Sequence, residues 1–250
     1  MGQILADQVP GPAAVSRAQA LSQRAQMLGL DLPMQAAQRL ARFHELLARG
    51  NERMNLVGNA EFEDALDRHY ADSLAPLALG LFAPGARVID VGSGAGFPGI
   101  PLCVLAGEET RFVLVDSLGK RVAFLNEAIA ELRLNAEAVH ARMEDFARAN
   151  RERFDVATAR AVAPVGVLAE LALPALKRSG RLIAYKGPSA AEEVAAAQNA
   201  LRTLGGASAQ ILPAPIPGRD WAHTLVVVQK AQKTPAQYPR KAGEPSRNPL

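Results

Sequence analysis

From residue 84 onward, short apolar runs alternate with longer helical stretches, and this alternation restricts the fold more than any other feature of the chain. Continuously apolar strands separated by helices are typical of a parallel sheet covered on both faces. The strand candidates are 87–91, 111–116, 136–140, 154–159, 180–186, 207–212 and 223–230, and the helical candidates are 98–106, 119–134, 143–152, 164–178 and 189–204. Three Pro and one Gly between the last two strands favour an antiparallel return of the final strand. The pattern predicts an α/β fold with a doubly wound, mostly parallel seven-stranded sheet.

The two ends of the chain lack this alternation. Leu40, Phe43 and Leu47 recur at helical spacing, and no strand candidate precedes Pro84. After Lys230 the chain is basic and contains four Pro, a composition typical of disorder. The predicted organisation is a disordered N-terminus (1–12), a helical subdomain (13–83), an α/β domain (84–230) and a basic, Pro-rich disordered tail (231–250).

The composition excludes several classes of protein. Apolar residues make up 49% and charged residues 21%, so the chain can bury a core and is not disordered throughout. One Cys and four scattered His argue against an internal disulfide and against a metal site. No stretch is apolar and long enough to span a bilayer, and the N-terminus lacks a secretion signal. We therefore expect a cytoplasmic protein with no membrane partner, and a monomer.

A glycine-rich turn follows the first predicted strand and precedes a predicted helix. Gly92, Gly94 and Gly96 lack a Cβ, so the backbone there can turn tightly and approach a ligand closely. The helix behind the turn presents free N–H groups and a positive dipole end. Twenty residues after Gly96 the second strand ends in Asp116, a position that binds a ribose diol in doubly wound sheets. These features predict a nucleoside-containing ligand.

The turn departs from the dinucleotide fingerprint. That fingerprint requires Gly or Ala at its sixth position, where this chain has Phe97 followed by Pro98. Asp90 ends the preceding strand and would repel a pyrophosphate, whereas it suits a ligand with amino and sulfonium groups. No Gly-Lys-Ser/Thr follows, which excludes a P-loop. S-adenosylmethionine is the ligand that fits, and a nicotinamide-dependent oxidoreductase is the poorer alternative.

Four separated motifs resemble the small-subunit rRNA guanine-N7 methyltransferases, also called the glucose-inhibited division protein B family. They are RHYADS from Arg68, DVGSGAGFPGIPL from Asp90, DSLGKRV from Asp116 and ARAVA from Ala159. The resemblance covers roughly residues 54–230. It implies a class I, Rossmann-like methyltransferase with an N-terminal helical extension. It also implies methylation of N7 of a specific guanine in the decoding-region hairpin of 16S rRNA, with that rRNA or the small ribosomal subunit as partner.

The resemblance also implies a set of cofactor contacts. Gly92 and Phe97 would flank the methionine and sulfonium side of S-adenosylmethionine, Met143 and Glu144 would hold its adenine, and Arg160 would lie at the cofactor site. The family commonly has Ser where this chain has Ala159. Together with the residues of the turn and the strand ends, the predicted cofactor-binding set is Asp90, Gly92, Gly94, Gly96, Phe97, Asp116, Met143, Glu144 and Arg160.

Methylation of guanine N7 places few demands on acid–base chemistry. N7 carries a free lone pair, so the protein must align it with the methyl group rather than remove a proton. We expect no catalytic acid–base pair. His69 and Asp72 share a helical face, and Lys186 ends the fifth predicted strand at the edge where ligands bind. These three residues are the candidates for positioning the guanine.

One alternative function of another class stays open on the sequence. A non-catalytic, cofactor-binding assembly factor of the small subunit would carry the same motifs, because the reaction needs no hallmark catalytic group. Aromatic residues make up only 5% of the chain. This low content favours recognition of a folded RNA through its shape and phosphates over stacking on single-stranded bases.

Overall fold

A computed structural model describes residues 12–250 of the chain. Residues 1–11 lie outside the described residues. They make up nearly all of the N-terminal segment, 1–12, that is predicted to be disordered. Among the helices of residues 12–250, none combines the length and the apolar character needed to cross a membrane.

The centre of the molecule is a seven-stranded sheet, as the alternating pattern predicts. Its strands run in the order β3-β2-β1-β4-β5-β7-β6. The first five strands along the chain pair in parallel, whereas β7 is antiparallel to both β5 and β6. The bounds are β1 Arg87–Val91, β2 Arg111–Asp116, β3 Ala136–His140, β4 Phe154–Arg160, β5 Leu176–Lys186, β6 Gln210–Pro213 and β7 Thr224–Gln229. The predicted parallel core and antiparallel final strand are both confirmed.

Helices cover both faces of the sheet, and each face has its own apolar cluster. Ile100 and Phe124 belong to one cluster, and Leu168 and Leu201 to the other. Burial on both faces explains why β1 and β2 are apolar along nearly their whole length. The helices of this region are α5 Gly99–Leu105, α6 Gly119–Glu131, α7 Met143–Ala149, α8 Val165–Ala172, α9 Ala190–Ala196 and α10 Gln198–Leu204.

The N-terminal region is helical, as predicted, and packs directly on the sheet. Leu40, Phe43 and Leu47 are fully buried in the same cluster as residues of β1 and β2. The helices are α1 Pro12–Met27, α2 Met34–Met54, α3 Phe62–Ala65 and α4 Asp72–Ala78, with a π-helical segment Leu66–Ala71 between α3 and α4. Such π-helical segments occur frequently at functional sites. Here it brings the helical region to the carboxyl ends of the central strands.

The fifth strand starts earlier than the sequence pattern predicts. The predicted helix 164–178 ends as α8 at Ala172, where a short 3₁₀ turn containing Pro174 follows. Proline lacks the N–H that a continuing helix would need. The chain then extends from Leu176, and a register shift in β4 lets β5 pair with it despite the polar residues at the start of β5.

The prediction of a disordered tail is wrong, because residues 231–250 pack against α7 and α8. Arg240 forms an ion pair of 2.6 Å with Glu170, whose side chain is only 1% exposed. Arg148 and Arg151, at the end of α7, donate hydrogen bonds to backbone carbonyls of the tail. A short helix, α11 Glu244–Arg247, lies near the C-terminus. A basic residue of the tail therefore pairs with a buried carboxylate. The prolines of the tail reduce the conformational entropy that the chain loses when the tail becomes ordered.

Candidate active site

The glycine turn connects β1 to α5 in the conformation that its residues allow. Gly92, Gly94 and Gly96 have φ of +67°, +57° and +98°, a region that L side chains rarely adopt. A Cβ on Gly92 would lie 2.8 Å from the Val162 side chain, and one on Gly96 would lie 2.8 Å from Ile100. By contrast, the Cβ direction of Gly94 is open. The turn is thus packed tightly from behind and leaves its backbone accessible at Gly94.

Asp90 lies beneath the turn, where it is fully buried. Its Oδ1 accepts a hydrogen bond of 2.7 Å from the Thr158 hydroxyl, while Oδ2 has no hydrogen-bond partner among the described residues. Burial raises the pKa of this carboxyl to about 6, partly offset by the hydrogen bond from Thr158. Because Asp90 is fully buried, the turn above it separates its carboxyl group from solvent.

Asp116 lies beside the turn, as the sequence predicts. Its two oxygens accept hydrogen bonds from the backbone N–H groups of Gly94 and Leu118, at 2.9 and 2.8 Å. The Arg121 guanidinium approaches Oδ2 at 3.6 Å. This carboxylate therefore ties the glycine turn to the start of α6.

Met143 and Glu144 begin α7, directly after β3. Met143 is buried in the apolar cluster on that face. Glu144 is 6% exposed, and its Oε1 accepts a hydrogen bond of 2.7 Å from the backbone N–H of Gly243 in the tail. Neither residue lines the cavity described next, and Glu144 is held by a part of the chain that the sequence predicts to be disordered.

A cavity of about 500 Å³ opens between the carboxyl ends of β4 and β5. This volume is typical of small-molecule sites. Three of the predicted functional residues line it, namely Asp72, Arg160 and Lys186. The structure adds three lining residues that the sequence reasoning missed as site residues, and these are Tyr185, Glu193 and His223.

Asp72 joins the Arg160 guanidinium and the His223 imidazole at the wall of this cavity. Its Oδ2 accepts from the Arg160 guanidinium at 3.0 Å, and its Oδ1 accepts from Nδ1 of His223 at 2.9 Å. The hydrogen bond to Asp72 raises the pKa of His223, against the opposing effect of burial. The sequence around His223 does not predict its hydrogen bond to Asp72, because this contact depends on α4 packing against the start of β7.

His69 and Phe97 lie beside Arg160 on the side of the glycine turn, and neither of them lines the cavity. Their rings stack with centroids 4.9 Å apart, and the Arg160 guanidinium lies 5.3 Å from the Phe97 ring. Burial, reinforced by the charge of Arg160, lowers the pKa of His69 to about 4. The imidazole is therefore neutral at pH 7, with Nδ1 accepting a hydrogen bond from Arg160 at 3.4 Å.

Lys186 lines the cavity with its ammonium group already engaged. Nζ donates to the backbone carbonyl of Ala163 and forms an ion pair with Glu193, both at 2.7 Å. The side chain is 11% exposed. Lys186 thus fixes the loop after β4 against α9, and one of its three donors stays available toward the cavity.

The site divides into two adjacent parts that share Arg160. The glycine turn, Asp116 and Phe97 lie at the carboxyl ends of β1 and β2, and the cavity lies at the ends of β4 and β5. The first part fits S-adenosylmethionine, because the Gly94 backbone is open to close approach and the Asp116 carboxylate lies directly beside it. A carboxylate beneath the turn also suits a cationic ligand.

Comparison with known proteins identifies the family. The model of the GidB family, described as rRNA small subunit methyltransferase G, matches residues 36–215. The chain belongs to this family. A relative named ribosomal RNA small subunit methyltransferase G from Clostridium perfringens is 41% identical over 226 residues, covering 89% of this chain and 94% of the relative. Another of that name, from Alkaliphilus oremlandii, is 38% identical over 234 residues, covering 92% and 97%. The resemblance seen in the four motifs is confirmed, and the protein is a methyltransferase.

Solved structures of more distant proteins match the fold. An S-adenosylmethionine-dependent O-methyltransferase from Thermotoga maritima has a TM-score of 0.53 at 14% identity, covering 76% of this chain and 72% of that one. The CurJ carbon methyltransferase has a TM-score of 0.52 at 14% identity, covering 90% and 72%. These likenesses confirm the class I methyltransferase fold.

Proposed function

We propose that this protein transfers a methyl group from S-adenosylmethionine to N7 of a specific guanine in the decoding-region hairpin of 16S rRNA. Membership of the GidB family supports the rRNA substrate. The observation that carries the proposal is the cavity beside the glycine turn, where Arg160 borders both parts of the site. A methyl donor over the turn and a base in the cavity would meet at this residue.

The chain's own residues divide the work of holding the cofactor. The Gly94 backbone and Asp116 receive the nucleoside, and Phe97 bounds the methionine side. Met143 and Glu144 hold the adenine, with Glu144 oriented by the Gly243 N–H. When bound, S-adenosylmethionine supplies an electrophilic methyl group on its sulfonium. The buried Asp90 carboxylate lies beneath the turn and favours a cationic ligand there.

The cavity residues position the guanine. Guanine presents O6 and N7 as acceptors and its N2 amino group as a donor. Arg160, Lys186 and His223 supply donors for O6, and Asp72 supplies the acceptor. His69 is neutral, so it adds no positive charge beside an N7 that becomes cationic on methylation. No residue has to remove a proton, and the rate enhancement comes from alignment.

The direct test is transfer of labelled methyl from S-adenosylmethionine to small-subunit rRNA from cells that lack this protein. The RNA is offered both naked and as assembled subunits, and the modified nucleoside is identified. We expect 7-methylguanosine at a single site. Arg160→Gln should lower the rate on the order of 100-fold, since misplacement at the reacting centre has effects of this size. Arg153→Gln, an exposed arginine on the chain before β4, is the matched control.

Other outcomes assign the protein differently. Tight cofactor binding without transfer to either form of the RNA favours the non-catalytic assembly factor. Label in another nucleoside keeps the enzyme class and corrects the target. The proposal also places the protein in the cytoplasm, where its rRNA substrate lies, and has it act as a monomer. Light scattering of the purified protein tests the monomer, and subcellular fractionation tests the location.

A further inference from the structure

The loop between β6 and β7 carries a second group of cationic side chains beside the cavity. Trp221 is the single tryptophan of the chain. The guanidinium carbons of Arg68 and Arg219 lie 4.8 and 5.3 Å from the centre of its ring. Arg68 belongs to the π-helical segment and Arg219 to the loop, so the indole contacts guanidinium groups from two separate parts of the chain. We call these three residues the Trp221 cluster.

Both arginines of the cluster are fixed in the same manner. The Nε of Arg68 is 2.7 Å from Asp64, and the Nε of Arg219 is 2.7 Å from the buried carboxylate of Asp67. Their terminal nitrogens make no hydrogen bonds among residues 12–250, and the two side chains are 55% and 45% exposed. Each guanidinium is thus held at Nε by a carboxylate and on its face by the indole ring, while its two terminal nitrogens remain accessible to solvent. These nitrogens form the edge that binds a phosphate through two parallel hydrogen bonds.

The Trp221 cluster is continuous with the cavity. The ring of Trp221 lies 5.4 Å from that of His223, which lines the cavity and is bonded to Asp72. The backbone carbonyl of Arg68 accepts a hydrogen bond of 3.0 Å from Arg160, another lining residue. A nucleotide strand that places a base in the cavity therefore runs its backbone past these arginines.

We propose that the Trp221 cluster binds the phosphodiester backbone of the RNA next to the base held in the cavity. Trp221 keeps the two guanidinium groups in position through cation–π contacts. Arg68 and Arg219 contact the phosphates. This inference rests on the proposed function for its RNA ligand and adds the surface that the RNA occupies. A preformed arginine pair binds phosphate with less loss of side-chain freedom than two mobile arginines.

The single tryptophan allows binding to be measured without turnover. The purified full chain is titrated with a synthetic oligoribonucleotide of the decoding-region hairpin, and tryptophan emission is followed. We expect a saturable change that weakens steeply with salt. Arg219→Gln should weaken binding roughly three- to tenfold and reduce the slope of log K against log salt by about one. Arg111→Gln is the matched control, because Arg111 is equally exposed and ion-paired but lies at the amino end of β2.

Kinetics separate a contact with RNA from a structural role. Trp221→Leu and Arg219→Gln should raise the KM for RNA while the affinity for S-adenosylmethionine stays at the wild-type value. Arg219→Lys should restore part of the loss, since it keeps the charge without the planar fork. The inference is overturned if wild-type protein methylates RNA while Trp221 emission does not respond and Arg219→Gln leaves the KM unchanged. If RNA binds at the cluster but no methyl is transferred, the inference stands and the proposed reaction fails.

Discussion

Asp72 belongs to the N-terminal helices, yet it holds Arg160 at the end of β4 and His223 just before β7 at one wall of the cavity. A carboxylate shared between a guanidinium and an imidazole fixes the positions of both groups and raises the pKa of the imidazole. His69, three residues earlier, accepts from the second terminal nitrogen of the same arginine and stays neutral. One guanidinium thus lies between a charged and an uncharged partner.

Replacement of Asp72 by Asn should lower the pKa of His223. The hydrogen-bonded carboxylate stabilises the imidazolium, and an amide stabilises it far less, so deprotonation should occur at lower pH. The measurement is an NMR titration of the histidine ring protons, with His223→Gln used to assign the resonance. An unchanged titration of His223 in Asp72→Asn would show that the ion pair does not form in solution.

Asp90→Asn should remove one source of pH dependence from the stability. Burial raises the pKa of Asp90 to about 6. As pH rises through 4 to 6, the unfolded chain loses this proton before the folded one does, so the stability falls by on the order of 3 kcal/mol. The part of this loss that falls between pH 5 and pH 8 is about 1.4 kcal/mol. Urea unfolding at these two pH values measures it, and the variant should lack it. Asp145→Asn, an exposed carboxylate, should behave as wild type in this comparison.

Most of the predicted site residues follow parallel strands, whereas His69 and Asp72 were predicted from the helical face that they share. Strand ends and glycine turns are visible in sequence, and the sheet topology brings them to one edge. His223 and Tyr185 were missed as site residues because their partners, Asp72 and Ser73, lie more than 100 residues away along the chain. The sequence holds no local signal for such contacts.

At the scale of elements, the glycine turn is the least tolerant part of the fold. Gly96→Ala combines a positive φ with a Cβ that would lie 2.8 Å from Ile100 and 3.1 Å from Phe43. We expect a loss of about 3 kcal/mol in the free energy of unfolding, measured with urea. Gly58→Ala is the control, because nothing lies within 4 Å and φ is not positive, and it should change the stability by less than about 0.5 kcal/mol. Equal midpoints for the two variants would contradict the packing described for the turn.

The elements themselves were predictable to different degrees. The first three strands match their predicted bounds. β1 and β2 are largely apolar runs, whereas β3 is an edge strand in which polar residues alternate with apolar ones. The start of β5 was not predictable, since Lys177 and Arg178 continue the helical pattern in sequence yet extend the strand in the fold. These residues have no partner in β4, which pairs with β5 at Leu176 and again from Arg181. Backbone hydrogen bonds of Ser179 and Gly180 with Lys230 hold this part of β5 extended, and such contacts outweigh local propensity.

At the scale of the whole molecule, the tail completes the face formed by α7 and α8. The composition of these residues, which are rich in charge and proline, predicts disorder. Composition contains no information about the carboxylates that the tail contacts in the fold. Glu170 and Glu144 are buried, and each accepts a hydrogen bond from the tail. These contacts join segments 70 and 99 residues apart, a separation that sequence patterns do not report.

Arg240→Met should lower the free energy of unfolding by about 3 kcal/mol, because it leaves the buried Glu170 carboxylate without its cation. The double variant Glu170→Gln with Arg240→Met should recover part of this loss. Arg247→Met removes an exposed ion pair of the same tail and should cost less than about 0.5 kcal/mol. Equal urea midpoints for the Arg240 and Arg247 variants would show that the tail does not dock in solution.

Docking of the tail also sets an order of events during synthesis. Arg240 is made 70 residues after Glu170, a delay of roughly 4 to 14 s at ordinary rates of translation. During that interval the nascent chain contains the Glu170 carboxylate but not yet Arg240, the cation that pairs with it. Gly243, which holds Glu144, follows three residues after Arg240. The face formed by α7 and α8 is therefore completed only after residues 240–243 have been synthesised.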